Sequence, residues 1–281
     1  MKVNLANSAG FCFGVRRAIN IAIETAKTNQ PVFMLGDIVH NEEVVKKIQE
    51  SGIKKTNRLC AGKGKTLLIR AHGCSKKTLR RAKKLGYSII DATCPMVKEI
   101  HAIAKNLENR GFKIIVIGDK FHDEVKGIVG QLKTKAIIID NLENIPIEKL
   151  KLLGKAGVVV QSTQNLDKVL EIIKILKQNV SELEFHNTIC KPTRSKQNEV
   201  KVMPLKNDVM IIIGSKTSAN TKRIYEISKS LNKRSYWVNS SHEIKKNWLA
   251  KAKSTGITAG ASTPESTIQK VLQRIKTLCA A

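Results

Sequence analysis

Short apolar runs alternate with amphipathic stretches along nearly the whole chain. Runs of this length have the size of buried strands, whereas apolar residues recurring every three to four positions have helical spacing. The pattern predicts strands at 3–6, 32–35, 66–69, 88–90, 113–117, 136–139, 157–160, 182–186, 209–213, 235–238 and 257–259. It predicts helices at 15–28, 41–51, 76–85, 96–110, 123–132, 166–178, 220–231 and 264–277. The stretch 197–207 stays open, because Pro204 interrupts what otherwise reads as a helix. Strands that alternate with helices favour an α/β architecture with mostly parallel sheets.

Three of the predicted strands end in a glycine, and each glycine lies 24 residues after a cysteine. The pairs are Cys12 with Gly36, Cys94 with Gly118, and Cys190 with Gly214. Successive copies are 82 and 96 residues apart, whether the cysteines or the glycines are compared. Such fixed spacing indicates an internal repeat of one supersecondary unit.

Polar residues follow the strands at matching places in each copy. Four residues after each glycine stand His40, His122 and Ser218, and a later strand of each copy leads into His72, Thr163 or Ser262. The third copy lacks a closing strand, and the N-terminal strand is the piece that matches it. We therefore predict three pseudo-threefold-related α/β units: 14–95, 96–192, and 193–281 completed by 1–13. Because parallel sheets bind ligands beyond the carboxyl ends of their strands, the cysteines and both polar sets are predicted to surround one central site.

Composition and charge narrow the choice of partners. The chain has 281 residues, 42% of them hydrophobic, and a formal net charge of +27. It has no apolar run long enough to span a membrane and no signal-peptide core, so we expect a soluble, cytoplasmic protein. A strongly basic chain suits nucleic acid, anionic lipid or a phosphorylated substrate. The basic residues are mostly scattered lysines, 39 against 11 arginines, which weakens the argument for nucleic acid.

The cysteines suggest metal chemistry rather than disulfides. Six lie far apart in a chain without a secretory signal. Cys94 ends a strand, and Pro95 suits the first position of the following helix, where the helix dipole favours a thiolate. Three cysteines at matched positions are one fewer than a structural zinc site needs, but an iron–sulfur cubane held by three would leave one iron open. The alternative is that they are small buried apolar residues.

Three further features suit an anionic substrate and a proton donor. Histidines at strand ends can donate hydrogen bonds to an anion. The run from Gly214 to Asn220 precedes a helix and resembles a phosphate cradle. Glu124, two residues after His122, is a candidate proton donor if burial raises its pKa, or else an ordinary carboxylate at a helix N-terminus.

These motifs, in this order, resemble the 4-hydroxy-3-methylbut-2-enyl diphosphate reductase family of the methylerythritol phosphate route to isoprenoids. The resemblance covers nearly the whole chain. It rests on the segments 10–18, 36–41, 69–73, 91–97, 118–125, 161–164, 187–190, 214–221 and 258–265.

The resemblance implies a 4Fe-4S cluster on Cys12, Cys94 and Cys190, with the open iron acting as Lewis acid and electron donor. It implies reductive removal of the allylic hydroxyl of the substrate, giving isopentenyl diphosphate and dimethylallyl diphosphate. Two electrons would come from ferredoxin or flavodoxin. By matching positions, Glu124 would supply the proton, and His122 and Thr163 would lie near the hydroxyl. The residues implied for the diphosphate are His40, His72, Ser218, Asn220 and Ser262, with the backbone N–H of Ala219 where some members carry a second serine.

The sequence departs from the family pattern after the third cysteine. The usual Thr-Gln-x-Arg-Gln-like run is replaced by Lys-Pro-Thr-Arg-Ser-Lys-Gln at 191–197. Two other readings stay open from the residues alone: a basic nucleic-acid-binding protein with an incidental α/β core, and a three-cysteine metal hydrolase. Aromatic residues make up only 4% of the chain, which argues against the first.

Overall fold

The computed structural model describes residues 1–28 and 31–280 of the chain. Over these residues the strands are β1 Lys2–Leu5, β2 Val32–Leu35, β3 Lys54–Thr56, β4 Thr66–Ile69, β5 Ser88–Asp91, β6 Lys113–Ile117, β7 Ile137–Ile139, β8 Lys155–Val160, β9 Glu182–Phe185, β10 Val209–Ile213, β11 Ser235–Val238 and β12 Ser254–Ala259. The helices are α1 Phe13–Thr28, α2 Glu42–Glu50, α3 Lys76–Lys84, α4 Pro95–Asn109, α5 Asp123–Val129, α6 Ile147–Lys151, α7 Leu166–Asn179, α8 Lys191–Val202, α9 Ala219–Leu231, α10 Lys246–Leu249 and α11 Glu265–Ala280.

The described strands form three four-stranded sheets, and every pairing within them is parallel. The sheet orders are β3-β2-β4-β5, β7-β6-β8-β9 and β11-β10-β12-β1. In each sheet the first and third strands of the copy are central neighbours, the second strand is one edge, and the fourth is the other. The fourth strand of the last sheet is β1, which pairs with β12 from Lys2↔Ser254 to Leu5↔Ile257. The predicted α/β class with parallel sheets is confirmed.

The central strands are mostly buried because helices cover both faces of a parallel sheet. All five residues of β10 are fully buried, and four of the five residues of β6 are buried. The edge strands are less buried, since β1 and β5 each have two half-buried residues between exposed ends.

The chain divides into two compact units. The first comprises Met1–Arg16, Val39–Lys47 and Lys191–Ala281, and the second comprises Arg17–Ile38 and Ile48–Cys190. The first unit contains the sheet with β1, and its core joins Ile211, Ile213 and Ile257 to α11. The second unit contains the other two sheets and has its own cores, one built on β8 and α7 and another on β6 and α4. The three-unit division made from the sequence stays a prediction.

Several elements depart from the predicted pattern. The edge strand β3 was not predicted, because its Lys-Lys-Thr sequence has no apolar run. The ambiguous stretch resolves into α8, which ends at Val202, and a single 3₁₀ turn, Met203–Leu205, which holds the proline. The short helices α6 and α10 were also not predicted, because each has five residues or fewer and shows no helical period. In the part of the chain that the model describes, no helix is long and apolar enough to cross a membrane.

Candidate active site at the strand ends

The predicted site residues follow the first and third strands of each sheet. These strands are neighbours, and the connections leaving them run to opposite sides, which is where open α/β sheets bind ligands. His40 follows β2 and His72 follows β4, while His122 follows β6 and Thr163 follows β8. Ser218 and Ser262 follow β10 and β12 in the same way.

One backbone hydrogen bond marks the repeat at the end of each first strand. The N–H groups of Gly36, Gly118 and Gly214 donate to the last residue of the second strand, at 3.0, 2.9 and 2.9 Å; the acceptors are Thr56, Ile139 and Val238. Gly118 has no room for a side chain, since an added Cβ would lie 2.8 Å from the side chains of both Gln161 and Val125. The sequence repeat thus corresponds to a repeated local geometry.

A second shared hydrogen bond holds each cysteine. The N–H groups of Cys12, Cys94 and Cys190 donate to the carbonyl of the residue just before Ser262, His72 and Thr163, at 3.1, 2.9 and 3.1 Å; the acceptors are Ala261, Ala71 and Ser162. Each cysteine is therefore aligned with one of the predicted substrate-binding residues.

Each of these cysteines immediately precedes a helix: α1, α4 or α8. Cys94 is the N-cap of α4 and Pro95 is its first residue, as the sequence predicts. All three are partly buried and none forms a disulfide. Cys74 has different surroundings, since burial raises the pKa of its thiol to about 11 and keeps it protonated.

In the second unit, His72 and His122 lie edge to face, with ring centroids 5.3 Å apart. His122 caps α5, because its Nδ1 accepts a hydrogen bond from the N–H of Glu124 at 3.1 Å. An imidazole whose Nδ1 is an acceptor carries its proton on Nε2. His122 can therefore present an N–H donor from Nε2 while it is neutral.

Glu124 is the most deeply buried acidic residue of this site, with 1% of its surface exposed. Its carboxylate accepts hydrogen bonds from the N–H of Ser162 at 2.6 Å and from the Ser162 hydroxyl at 2.8 Å. Burial raises the pKa of Glu124, and the two hydrogen bonds only partly offset this effect. A carboxyl group in this environment is suited to holding and delivering a proton.

Gln161 orders the turn that carries Thr163. Its amide nitrogen donates to Thr163 Oγ1 at 3.0 Å, and its carbonyl oxygen accepts from the N–H of Asp119 at 2.8 Å. This side chain therefore ties the turn after β8 to the turn after β6.

In the first unit, three separate hydrogen bonds hold four of the predicted diphosphate ligands. The hydroxyl of Ser262 donates to the carbonyl of His40 at 2.9 Å. Asn220 Oδ1 accepts from the N–H of Ala261, next to Ser262, at 3.0 Å. Ser218 caps α9, and Ala219 is the first residue of that helix. Three of these side chains are buried: Ser218, Asn220 and Ser262.

The predicted phosphate cradle at 214–220 contains an internal constraint. Ser215 donates its hydroxyl proton to Glu42 Oε1 at 2.7 Å, so this hydroxyl is committed to a carboxylate. The groups of this cradle that remain to bind a phosphate are therefore Ser218, Asn220 and the start of α9.

The remaining histidines have structural surroundings. Burial lowers the pKa of His101 to about 4. His186 pairs with Glu184 at 2.8 Å, and His242 lies in a 3₁₀ turn.

Sequence reasoning missed several residues that support the site. Ser162 hydrogen-bonds the carboxylate of Glu124, and Gln161 hydrogen-bonds the hydroxyl of Thr163. Both residues lie within the 161–164 motif. Lys196 and Glu199 of α8 bond the segment before Cys12. A lysine in a polar helix gives no sequence signal for such a role.

The two units divide the predicted residues between them. Cys12, His40, Ser218, Ala219, Asn220 and Ser262 belong to the first unit; Cys94, Cys190, His72, His122, Glu124 and Thr163 belong to the second. Within residues 1–28 and 31–280, neither unit on its own brings three His, Cys, Asp or Glu side chains close enough to chelate a metal ion.

Parallel sheets with polar residues at the central strand ends define an α/β protein of the ligand-binding or enzyme class. Comparisons with known proteins specify the family. The model of the LytB protein family matches residues 3–276, and the chain belongs to this family.

The similar curated proteins and solved structures agree with each other. The chain is 38% identical over 278 residues to 4-hydroxy-3-methylbut-2-enyl diphosphate reductase of Geotalea daltonii, covering 99% of this chain and 98% of the relative. It is 39% identical over 279 residues to the enzyme of the same name from Aquifex aeolicus, covering 98% and 96%. A solved structure of the Plasmodium falciparum reductase superposes with a TM-score of 0.89 at 30% identity, covering 97% of this chain and 87% of that one. A second solved reductase, described as the terminal enzyme of the non-mevalonate pathway, has a TM-score of 0.72 at 39% identity and covers 99% and 100%.

Proposed function

We propose that this chain reduces 4-hydroxy-3-methylbut-2-enyl diphosphate to isopentenyl and dimethylallyl diphosphate. The observation that carries the proposal is the repeated cysteine geometry. Each sheet has one such cysteine after its fourth strand. The three cysteines donate their N–H groups to equivalent carbonyls. Membership of the LytB family favours this reaction over nucleic-acid binding or hydrolysis.

The cofactor we propose is a 4Fe-4S cluster held by Cys12, Cys94 and Cys190. The donor set suits it, since three thiols outside any disulfide stand at helix starts and a fourth cysteine at an equivalent position is absent from the described residues. When bound, a cluster with three protein thiolates supplies electrons and one iron open to a substrate oxygen.

The diphosphate would be held by neutral hydrogen-bond donors and histidines. We assign His40, Ser218, Asn220 and Ser262, with the N–H of Ala219, to this role; His72 joins them. Buried hydroxyl and amide groups give directed hydrogen bonds, and imidazole adds charge when protonated. Such donors orient the substrate without the mobility of exposed lysines.

We assign proton delivery to Glu124, with His122 and Thr163 beside the substrate hydroxyl. Burial raises the pKa of Glu124, which favours the protonated carboxyl group. Loss of the hydroxyl as water needs one such proton at the leaving oxygen. Ser162 holds the carboxyl in place through both of its hydrogen-bonding groups.

Partners and organisation complete the proposal. We infer that ferredoxin or flavodoxin supplies the two electrons, that the protein acts in the cytoplasm, and that its substrate is a small allylic diphosphate rather than nucleic acid. We also propose the three α/β units 14–95, 96–192, and 193–281 with 1–13, each built on one of the sheets.

The test is to purify the chain without air and to measure iron, colour and turnover. A brown protein with close to four irons per chain is expected to reduce the substrate when a chemical or protein reductant is supplied. Cys12→Ser, Cys94→Ser and Cys190→Ser should each lose cluster and turnover. The matched controls Cys60→Ser and Cys279→Ser change exposed cysteines and should keep both.

Two results would contradict the proposal. A colourless chain that keeps full activity in air would exclude the cluster. Cysteine variants at 12, 94 and 190 that behave like the two controls would remove these residues from the metal site.

A further inference from the structure

In two of the three sheets, the hydrogen-bonded ladder continues without a gap from the fourth strand to the cysteine. After β5, Ala92 donates to Ile69 at 3.0 Å and Cys94 donates to Ala71 at 2.9 Å. Each step advances two residues on both strands, so the cysteine lies in register with β4.

The second sheet keeps the same register with a side chain in place of one backbone group. His186 donates to Val158 at 3.0 Å and Cys190 donates to Ser162 at 3.1 Å, four residues further on both strands. Between them the hydroxyl of Thr188 donates to the carbonyl of Val160 at 2.5 Å and accepts from its N–H at 2.8 Å.

The third sheet breaks this pattern. Ala6 donates to Ile257 at 2.8 Å, and the next backbone bond is from Cys12 to Ala261 at 3.1 Å. The chain advances six residues on the β1 side but only four on the β12 side. Two extra residues therefore bulge out between the strand and the cysteine. The carbonyl of Ala259, which corresponds to those of Ile69 and Val160, faces this bulge.

The ammonium group of Lys196 lies where the missing step of the ladder would be. Its Nζ donates to the carbonyl of Ala259 at 3.0 Å, to that of Gly10 at 3.1 Å, and to that of Ser8. One cation thus bridges the end of β12 to two carbonyls of the bulge. Lys196 is 2% exposed, although lysine is almost never fully buried without partners for its charge.

The same helix holds the bulge at a second point. Glu199, one turn after Lys196 on α8, accepts the N–H of Ser8 at 3.0 Å and also its hydroxyl proton. Gly10 completes the arrangement with φ +90°, and an added Cβ there would lie 3.2 Å from Ile268. The shape of the segment before Cys12 is therefore set by α8 rather than by a strand.

We propose that Lys196 is a positioning residue for Cys12. It replaces the backbone donor that the bulge removes, and so keeps Cys12 in the register that Cys94 and Cys190 reach through a continuous series of hydrogen bonds. The link to a metal cluster rests on the proposed function, whereas the link to the position of Cys12 does not. Removal of Lys196 should therefore loosen Cys12 selectively and leave Cys94 and Cys190 in place.

The test compares amide hydrogen exchange at the three cysteines in the full chain, purified without air and resolved by fragmentation mass spectrometry. Lys196→Met keeps the length of the side chain but removes its donors. The Cys12 amide is expected to exchange about tenfold faster, the effect of losing one charge-assisted hydrogen bond. The Cys94 and Cys190 amides should stay within about twofold of the wild type. Lys196→Arg, which keeps charge and donors, should restore protection, and Lys201→Met is the control on a partly exposed lysine of the same helix.

Unchanged exchange at Cys12 overturns the proposal, and equal acceleration at all three cysteines also overturns it, because Lys196 would then support the fold as a whole. If Lys196→Met does not fold, faster alkylation of the partly buried Cys74 than in the wild type will reveal it, and the same comparison is then made on Lys196→Gln. In the cluster-loaded chain, Lys196→Met should release iron to a chelator about tenfold faster than Lys201→Met. A wild-type chain without iron would refute the proposed function, while the exchange data would still decide the role of Lys196.

Discussion

The carboxylate of Glu124 is held by both hydrogen-bonding groups of Ser162, its N–H at 2.6 Å and its hydroxyl at 2.8 Å. The carbonyl of the same serine accepts the N–H of Cys190 at 3.1 Å. One residue therefore fixes the proposed proton donor and one of the proposed cluster ligands, so their relative position depends on a single turn.

Glu124→Gln should keep the cluster and substrate binding but lose most of its turnover. An amide has the same shape and can still hydrogen-bond to Ser162, yet it has no acidic proton to deliver. The expected fall in kcat is about 100-fold or more. Single-turnover and steady-state assays measure it, with Glu99→Gln on the exposed face of α4 as the control. Full turnover in Glu124→Gln would assign the proton to another group.

Ser162→Ala should move the pH dependence of the reaction upward. The Ser162 hydroxyl hydrogen bond lowers the pKa of Glu124, so its loss raises that pKa further. An acid is active while protonated, and kcat therefore falls as the pH rises through its pKa. In Ser162→Ala, the fall in kcat should occur at a higher pH than in the wild type. Ser230→Ala is the control and should keep the wild-type profile. A profile that stays in place, or moves down, would contradict the assignment.

His101 should make the protein less stable in acid. Burial lowers its pKa from 6.5 to about 4, so the folded chain resists protonation that the unfolded chain accepts. The contribution of neutral His101 to the free energy of unfolding is complete above pH 6.5 and is lost as the pH falls toward 4. Urea unfolding at pH 7.5 and pH 5 should show a decrease about 2 kcal/mol larger in the wild type than in His101→Gln. Equal decreases would show that His101 does not titrate differently on unfolding.

Two glycines of similar backbone geometry should respond differently to alanine. Gly36 has φ +75° and Gly64 has φ +72°, so both substitutions cost about 1–2 kcal/mol of backbone strain. A Cβ on Gly36 would also lie 2.6 Å from Nη1 of Arg70, which pairs with Asp123 at 2.6 Å, whereas a Cβ on Gly64 meets nothing within 4 Å.

The extra cost of Gly36→Ala over Gly64→Ala should be about 1 kcal/mol, the value of a partly exposed ion pair. Denaturant unfolding measures both, and a double-mutant cycle with Asp123→Asn tests the cause. The extra cost should vanish in the Asp123→Asn background. If it persists there, Arg70 and Asp123 do not account for it.

The fold was largely predictable because its signal is local and apolar. Central strands such as β10 are continuous apolar runs, and the site residues follow such strands directly, so strand ends and candidate ligands were found together. Cys94 and Gly118 are 24 residues apart, as are their counterparts in the other two copies, because the same backbone hydrogen bonds hold both positions in each sheet.

The unpredicted features depend on contacts between distant parts of the chain. β3 is held by pairing to β2 and not by its own polar sequence. Lys196 lies in a polar helix, and nothing in that helix shows that the bulge around Ser8 needs a donor. Ser162 gives no separate signal in the sequence, because the motif at 161–164 points to its neighbour Thr163. In each case the partner lies many residues away.

The pairing of β1 with β12 also has a consequence for the order in which the protein is made. Lys2 and its partner Ser254 are separated by about 250 residues, which a ribosome adds in roughly 12 to 50 seconds at the usual rate. Until then β1 has no strand beside it, and Cys12 lacks the carbonyl of Ala261. Cys94 and Ala71, by contrast, are only 23 residues apart and can meet early. During synthesis, Cys94 and Cys190 can therefore be aligned while Cys12 is not yet in place. Metal loading is expected to follow completion of the last sheet.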